Sequence, residues 1–140
     1  MDRESIVYGC IKDIACSGDD EQRRICNRAA MLHLPKAEDW SWLCQEMFSI
    51  PRIQRGEDRY LTEVIHFGAS YRGIEYEWGN WMESFEALLE RMYWISAVVH
   101  LETELAGIHT FNWESPGDYH SPGHGIRSIR CEWVHEQNFL

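Results

Sequence analysis

The hydrophobic pattern changes period twice between residues 60 and 114. Leu61, Glu63, Ile65, Phe67, Ala69 and Tyr71 alternate with Thr62, Val64, His66, Gly68 and Ser70, the period of two that a strand imposes. Trp78, Trp81, Met82, Phe85, Leu88, Leu89 and Met92 then follow the spacing that gathers side chains on one stripe of a helix, with Glu83, Glu86 and Glu90 on the other side. Asn80 and Glu83 have the spacing of a reciprocal cap near its start. Residues 95–105 and 108–113 read as a hairpin turning at Ala106-Gly107.

The flanking segments fit the same scheme. Ile6-Val7-Tyr8-Gly9-Cys10-Ile11 lies in a first strand over residues 5–14, where Gly9 marks a bulge or a close backbone approach. Ser17-Gly18-Asp19-Asp20 is a turn that offers helix caps. Residues 20–34 then read as a helix with Ile25, Ala29 and Leu32 on one face and Arg23, Arg24 and Arg28 elsewhere, closed by Pro35. Residues 39–50 fit two patterns. Trp40-Ser41-Trp42 alternates, while Trp40, Leu43 and Met47 share a helical face, and the reading adopted is a short helical turn followed by a strand toward Pro51. Residues 51–59 and 115–125 are loops, and residues 128–135 alternate as a last strand. The order β-α-β-β-α-β-β-β predicts an α+β fold, a mainly antiparallel sheet with two helices packed on one face. Residues 1–140 carry no repeat and no break in composition, so a single domain is expected.

Charge narrows the partners. Thirteen basic residues against twenty-three acidic ones leave a net charge of −10, which disfavours nucleic acid as a partner and suits a basic protein. No apolar run approaches the roughly eighteen residues that a membrane span requires. Met1-Asp2-Arg3-Glu4-Ser5 has no apolar run behind it, which reads against a secretory signal. The five cysteines, at 10, 16, 26, 44 and 131, form no C-x-x-C pair. A reduced cytoplasmic protein whose thiols pack as small hydrophobes is the expectation.

Several constellations are candidates for chemistry. With a two-residue turn at Ala106-Gly107, Glu104 faces His109, Glu102 faces Phe111 and His100 faces Trp113. One sheet face then displays His100, Glu102, Glu104 and His109, a set suited to a divalent metal or to acid–base work, or to ordinary cross-strand pairing on a solvated face. Asp118, His120 and His124 form a second spacing of metal-ligand type in a loop. No nucleophile elbow, phosphate loop or dinucleotide fingerprint is present, no catalytic residue stands out, and no cofactor is expected. The remaining feature is acidic and aromatic. Glu75, Glu77, Glu83, Glu86 and Glu90 are interleaved with Tyr76 and Trp78, the composition of a protein-binding hot spot aimed at a basic partner, or of a solvated helix face over a core stripe.

A small, acidic, Trp-rich α+β chain with Val64-Ile65-His66-Phe67-Gly68-Ala69-Ser70-Tyr71 followed by Glu75-Tyr76-Glu77-Trp78 resembles the immunity proteins that bacteria keep beside polymorphic and type VI secreted toxins. The resemblance implies tight, specific binding to one toxin or effector domain, through a basic active-site surface on that partner and in the cytoplasm. Two other classes fit the same features: a small enzyme or metal protein using the hairpin set, and a chaperone or adaptor for a secreted effector.

Overall fold

The computed structural model describes residues 4–14, 20–36, 38, 42–50, 62–104, 107–115, 117–124 and 129–132. The elements are β1 (Glu4–Ile14), α1 (Asp20–Leu32), β2 (Phe48–Ser49), β3 (Thr62–Arg72), α2 (Trp78–Glu90), β4 (Ser96–Thr103), β5 (Gly107–Glu114) and β6 (Ile129–Glu132), in the order the alternation and helical spacing predict. A single turn of 3-10 helix, Gln45–Met47, leads into β2, and another, Ile74–Glu77, leads into α2. The turn expected at 17–19, Trp40, the loop at 51–59, Ala106 and the chain from 133 onward, His135 included, lie outside the described residues.

The six strands lie in the order β2-β3-β1-β4-β5-β6, and every pairing is antiparallel. β1 is central, with β3 on one side and β4 on the other. β3 and β4 therefore run parallel to each other, and α2 carries the chain between them across β1. Gly9 of β1 sits close against the β4 backbone. A Cβ there would lie 1.9 Å from the Val98 carbonyl oxygen and 2.9 Å from the Phe67 ring, so only glycine fits.

Odd-numbered residues face the helices. Val7 and Ile11 of β1, Ile65 and Phe67 of β3, and Ala97, Val99 and Leu101 of β4 are buried on that side, with Trp113 of β5 beside them. The stripe of α2 closes over them, with Trp81, Phe85 and Leu88 fully buried and Met92 just beyond the helix. Phe85 is the hub, with ring centroids 5.3 Å from Phe67, 5.2 Å from Trp81 and 5.1 Å from Trp113. Each such buried side chain contributes about 1.5–3 kcal/mol of transfer free energy, which explains why an otherwise short helix is held in place. α2 begins at Trp78 with Glu77 at its cap position and no side-chain cap bond, so Asn80 and Glu83 lie inside the helix rather than capping it.

α1 packs on the same face, but with the opposite side to the one its apolar residues select. Ile25 and Leu32 are 63% and 61% exposed, Ala29 is exposed, and Arg23, Asn27, Ala30 and Met31 are turned inward. Two polar anchors account for this. The Arg23 guanidinium pairs with the buried Asp13 carboxylate and lies 4.9 Å from the Tyr93 ring centroid and 4.1 Å from that of Tyr119. The Asn27 amide clamps the backbone of Tyr93, donating to its carbonyl at 3.0 Å and accepting from its N–H at 2.7 Å. The opposite rotation would leave the buried Asp13 carboxylate without its cation, which is costly, so the pairing favours the rotation observed.

Candidate functional site

The acidic and aromatic residues gather where β3 gives way to α2. Gly73 has φ of +61°, the left-handed conformation that turns the chain out of the sheet and favours glycine. Ile74 is buried, and the Glu75 carboxylate accepts a 2.5 Å hydrogen bond from the Ser5 hydroxyl on β1. The N–H of Tyr76 closes the turn onto the Gly73 carbonyl at 3.1 Å. A turn tied down on both sides thus presents Tyr76 at 82% exposure, the most exposed large hydrophobic side chain among the described residues. Glu77 follows it, also exposed.

Along α2 the exposed positions are 79, 80, 83, 87 and 90, one outward face carrying Glu83 and Glu90. These carboxylates do not serve the helix. Glu90 lies in the last turn, where the macrodipole disfavours a negative charge, and Glu86 and Glu90 are like charges at i, i+4. Among the described residues no ion pair neutralises Glu77, Glu83 or Glu90.

Three of the expected interface residues play structural parts. Glu86 is half-buried and accepts the indole N–H of the fully buried Trp113 at 3.1 Å. Glu75 is engaged by Ser5, as described. Trp78 is half-buried, stacked on Trp81 at 4.8 Å and tilted against Phe111 at 5.3 Å, so it supports the turn from below. Beneath it the Trp81 indole donates at 3.1 Å to the Tyr71 hydroxyl, which itself donates at 2.5 Å to the Trp42 carbonyl. Burial raises the Tyr71 phenol above its ordinary value near 10, against a smaller lowering from the Trp81 hydrogen bond and a further rise from Cys44. The hydroxyl therefore stays protonated and able to donate.

The hairpin register differs from the two-residue turn expected at Ala106-Gly107. Thr103 pairs with Gly107 and Leu101 with His109, leaving residues 104–106 to make the connection. Gly107 has φ of +76°, the left-handed conformation that favours glycine, where the chain enters β5. The extra loop residue moves the pairing by an odd number and sends His109 to the helix-covered face, while His100 and Glu102 stay on the open face and exposed Glu104 falls in the turn. His100 packs on Tyr8 at 5.0 Å and meets the Thr110 hydroxyl at 2.9 Å. The proposed quartet is thus dispersed, and among the described residues no group of three or more His, Cys, Asp or Glu is placed to hold a metal.

The loop histidines also separate. His120 is 5% exposed, stacked on Trp94 at 4.9 Å, with Nδ1 donating at 2.9 Å to the Met92 carbonyl. His124 and Asp118 are exposed. His120 instead staples the loop down, since Trp94 and His120 exchange backbone hydrogen bonds of 3.2 and 2.7 Å. Cys10, Cys26 and Cys44 are half-buried free thiols, and burial pushes the Cys26 thiol up, away from the reactive thiolate.

The chain matches no known protein family, and no curated protein and no solved structure matches it significantly. No helix among the described residues is long and apolar enough to cross a membrane.

Proposed function

We propose that this protein is an immunity protein, an antidote that binds and inhibits a cognate bacterial toxin domain acting in the cytoplasm. The observation that carries the reading is Tyr76, an exposed ring on a pinned turn, followed by exposed Glu77 and by the exposed Glu83 and Glu90 of α2. A rigid aromatic side chain already held in place loses little conformational freedom on binding, which is the property of a hot-spot anchor. Glu83 and Glu90 lie about 10 Å apart along the outward face of α2 at 1.5 Å per helical residue. A negative surface of this kind speeds encounter with a basic active-site cleft, and covering that cleft is inhibition.

Co-expression with the product of the adjacent gene, scored for toxicity and for survival of the host, is the direct test. The Glu83→Lys/Glu90→Lys double reversal should slow association and weaken its dependence on salt, because it removes the steering charge. Tyr76→Ala should act on the other rate, raising dissociation by roughly 30-fold or more, the equivalent of about 2 kcal/mol. Both sites are exposed, so both variants should fold as the wild type does. Folded variants that protect the host and bind as well as the parent would rule out this face as the interface.

A further inference from the structure

α1 presents a second surface, on the opposite side to the one its polar anchors bury. Ile25 and Leu32, the two most exposed aliphatic side chains among the described residues, lie two turns apart with exposed Ala29 between them. At 100° per residue the three lie within an arc of about 60°, a narrow apolar stripe along the outward side of the helix. Scattered exposed aliphatics are common, but a contiguous stripe held outward by a buried Arg23–Asp13 pair and an Asn27 clamp is not scattered.

We propose that this stripe is the contact between two copies of the chain, paired as antiparallel α1 helices about a two-fold axis. The occupant is indicated by self-complementarity. In the antiparallel arrangement Ile25 of each copy lies over Leu32 of the other, and Ala29, with its small side chain, falls at the crossing where the helices approach most closely. The same alignment brings exposed Glu21, in the first turn, to the end of the partner helix, which exposed Lys36 follows four residues on, twice over. It also places each helix N-terminus beside the partner's C-terminus, so the two macrodipoles attract. A parallel pairing would instead set Glu21 on Glu21 and Lys36 on Lys36. This contact is independent of the antidote reading and uses a different surface.

Sedimentation equilibrium of the full chain, from low micromolar concentration upward, tests it. A reversible monomer–dimer equilibrium is expected. Added salt should strengthen it by screening the repulsion between two copies that each carry −10, the opposite of the salt response expected for an acidic face on a basic toxin. Leu32→Glu, with folding verified by near-ultraviolet circular dichroism, should weaken the dimer by roughly 100-fold, because the change enters the contact twice. Lys36→Glu alone should weaken it several-fold, and Glu21→Lys added to it should restore it. A chain that stays monomeric at every concentration overturns the proposal and leaves the stripe to a different protein. A dimer that survives Leu32→Glu, or one in which the paired charge reversal fails to restore what the single reversal loses, overturns it equally.

Discussion

Replacing Tyr71 with phenylalanine removes one oxygen from the support under the Tyr76 turn. The ring itself can stay where it is, so no cavity forms and the packing term is close to zero. The loss is polar. Trp81 is fully buried, and its indole N–H loses the acceptor it has at 3.1 Å, while the Trp42 carbonyl loses the donor at 2.5 Å. One stranded buried donor costs about 1–3 kcal/mol, so a loss near 2 kcal/mol is expected from urea unfolding at neutral pH. The alkaline limb gives an independent reading. Because the folded Tyr71 pKa lies above its unfolded value near 10, the unfolded chain releases this proton first as pH rises. The stability contributed by the protonated phenol is therefore complete below pH 10 and declines from there through the folded pKa, with a slope of at most about 1.4 kcal/mol per pH unit. Tyr71→Phe should remove that share of the decline. A variant within about 0.5 kcal/mol of wild type at pH 7, with an unchanged alkaline slope, would refute the hydrogen-bonded bridge between β3, α2 and the segment before β2.

Phe85→Ala should cost about 3–5 kcal/mol in the same unfolding assay, since a fully buried ring touching Phe67, Trp81 and Trp113 leaves a cavity that none of them can fill, and a loss under about 1 kcal/mol would contradict that packing. Glu86→Lys should destabilise by about 1–2 kcal/mol through the stranded Trp113 indole, whereas Glu83→Lys should change stability by less than about 0.5 kcal/mol; equal effects would mean that Glu86 is not the acceptor. Gly9→Ala should prevent normal folding, judged by loss of the cooperative thermal transition, because its methyl would overlap the Val98 carbonyl at 1.9 Å; a variant as stable as wild type would mean that β1 and β4 do not approach as described.

The antidote reading has a structural consequence for how interface residues should be chosen. By helical count Glu83, Glu86 and Glu90 look equivalent, yet Glu86 is held by a core tryptophan while the other two are exposed. A charge reversal spread over all three would mix a folding defect with a binding defect. Tyr76 is the cleaner probe, since its exposure leaves folding little to lose.

Periodicity alone determined most of the fold. The alternation of β3 and the stripe of α2 are each carried by one contiguous segment, and a buried face repeats with the geometry of its own element, so Phe67, Trp81, Phe85 and Leu88 are legible without knowing what they pack against. The Tyr76 turn was legible for a similar reason, because acidic and aromatic residues cluster along a single short stretch. Three features were decided only by the tertiary structure. The hairpin register depends on one residue more or less in the turn, and strand parity converts that residue into a change of face for His109. The position of His120 depends on Trp94 and Met92, far from it in sequence, which turn an apparent loop ligand into a staple. The rotation of α1 depends on Asp13 and the Tyr93 backbone, and no local pattern in α1 announces either. Its hydrophobic spacing is real, but turning Ile25 and Leu32 inward would carry Arg23 and Asn27 out to solvent and leave the buried Asp13 carboxylate and the Tyr93 backbone without their partners, a penalty that exists only once the fold has brought Asp13 and Tyr93 to the same place.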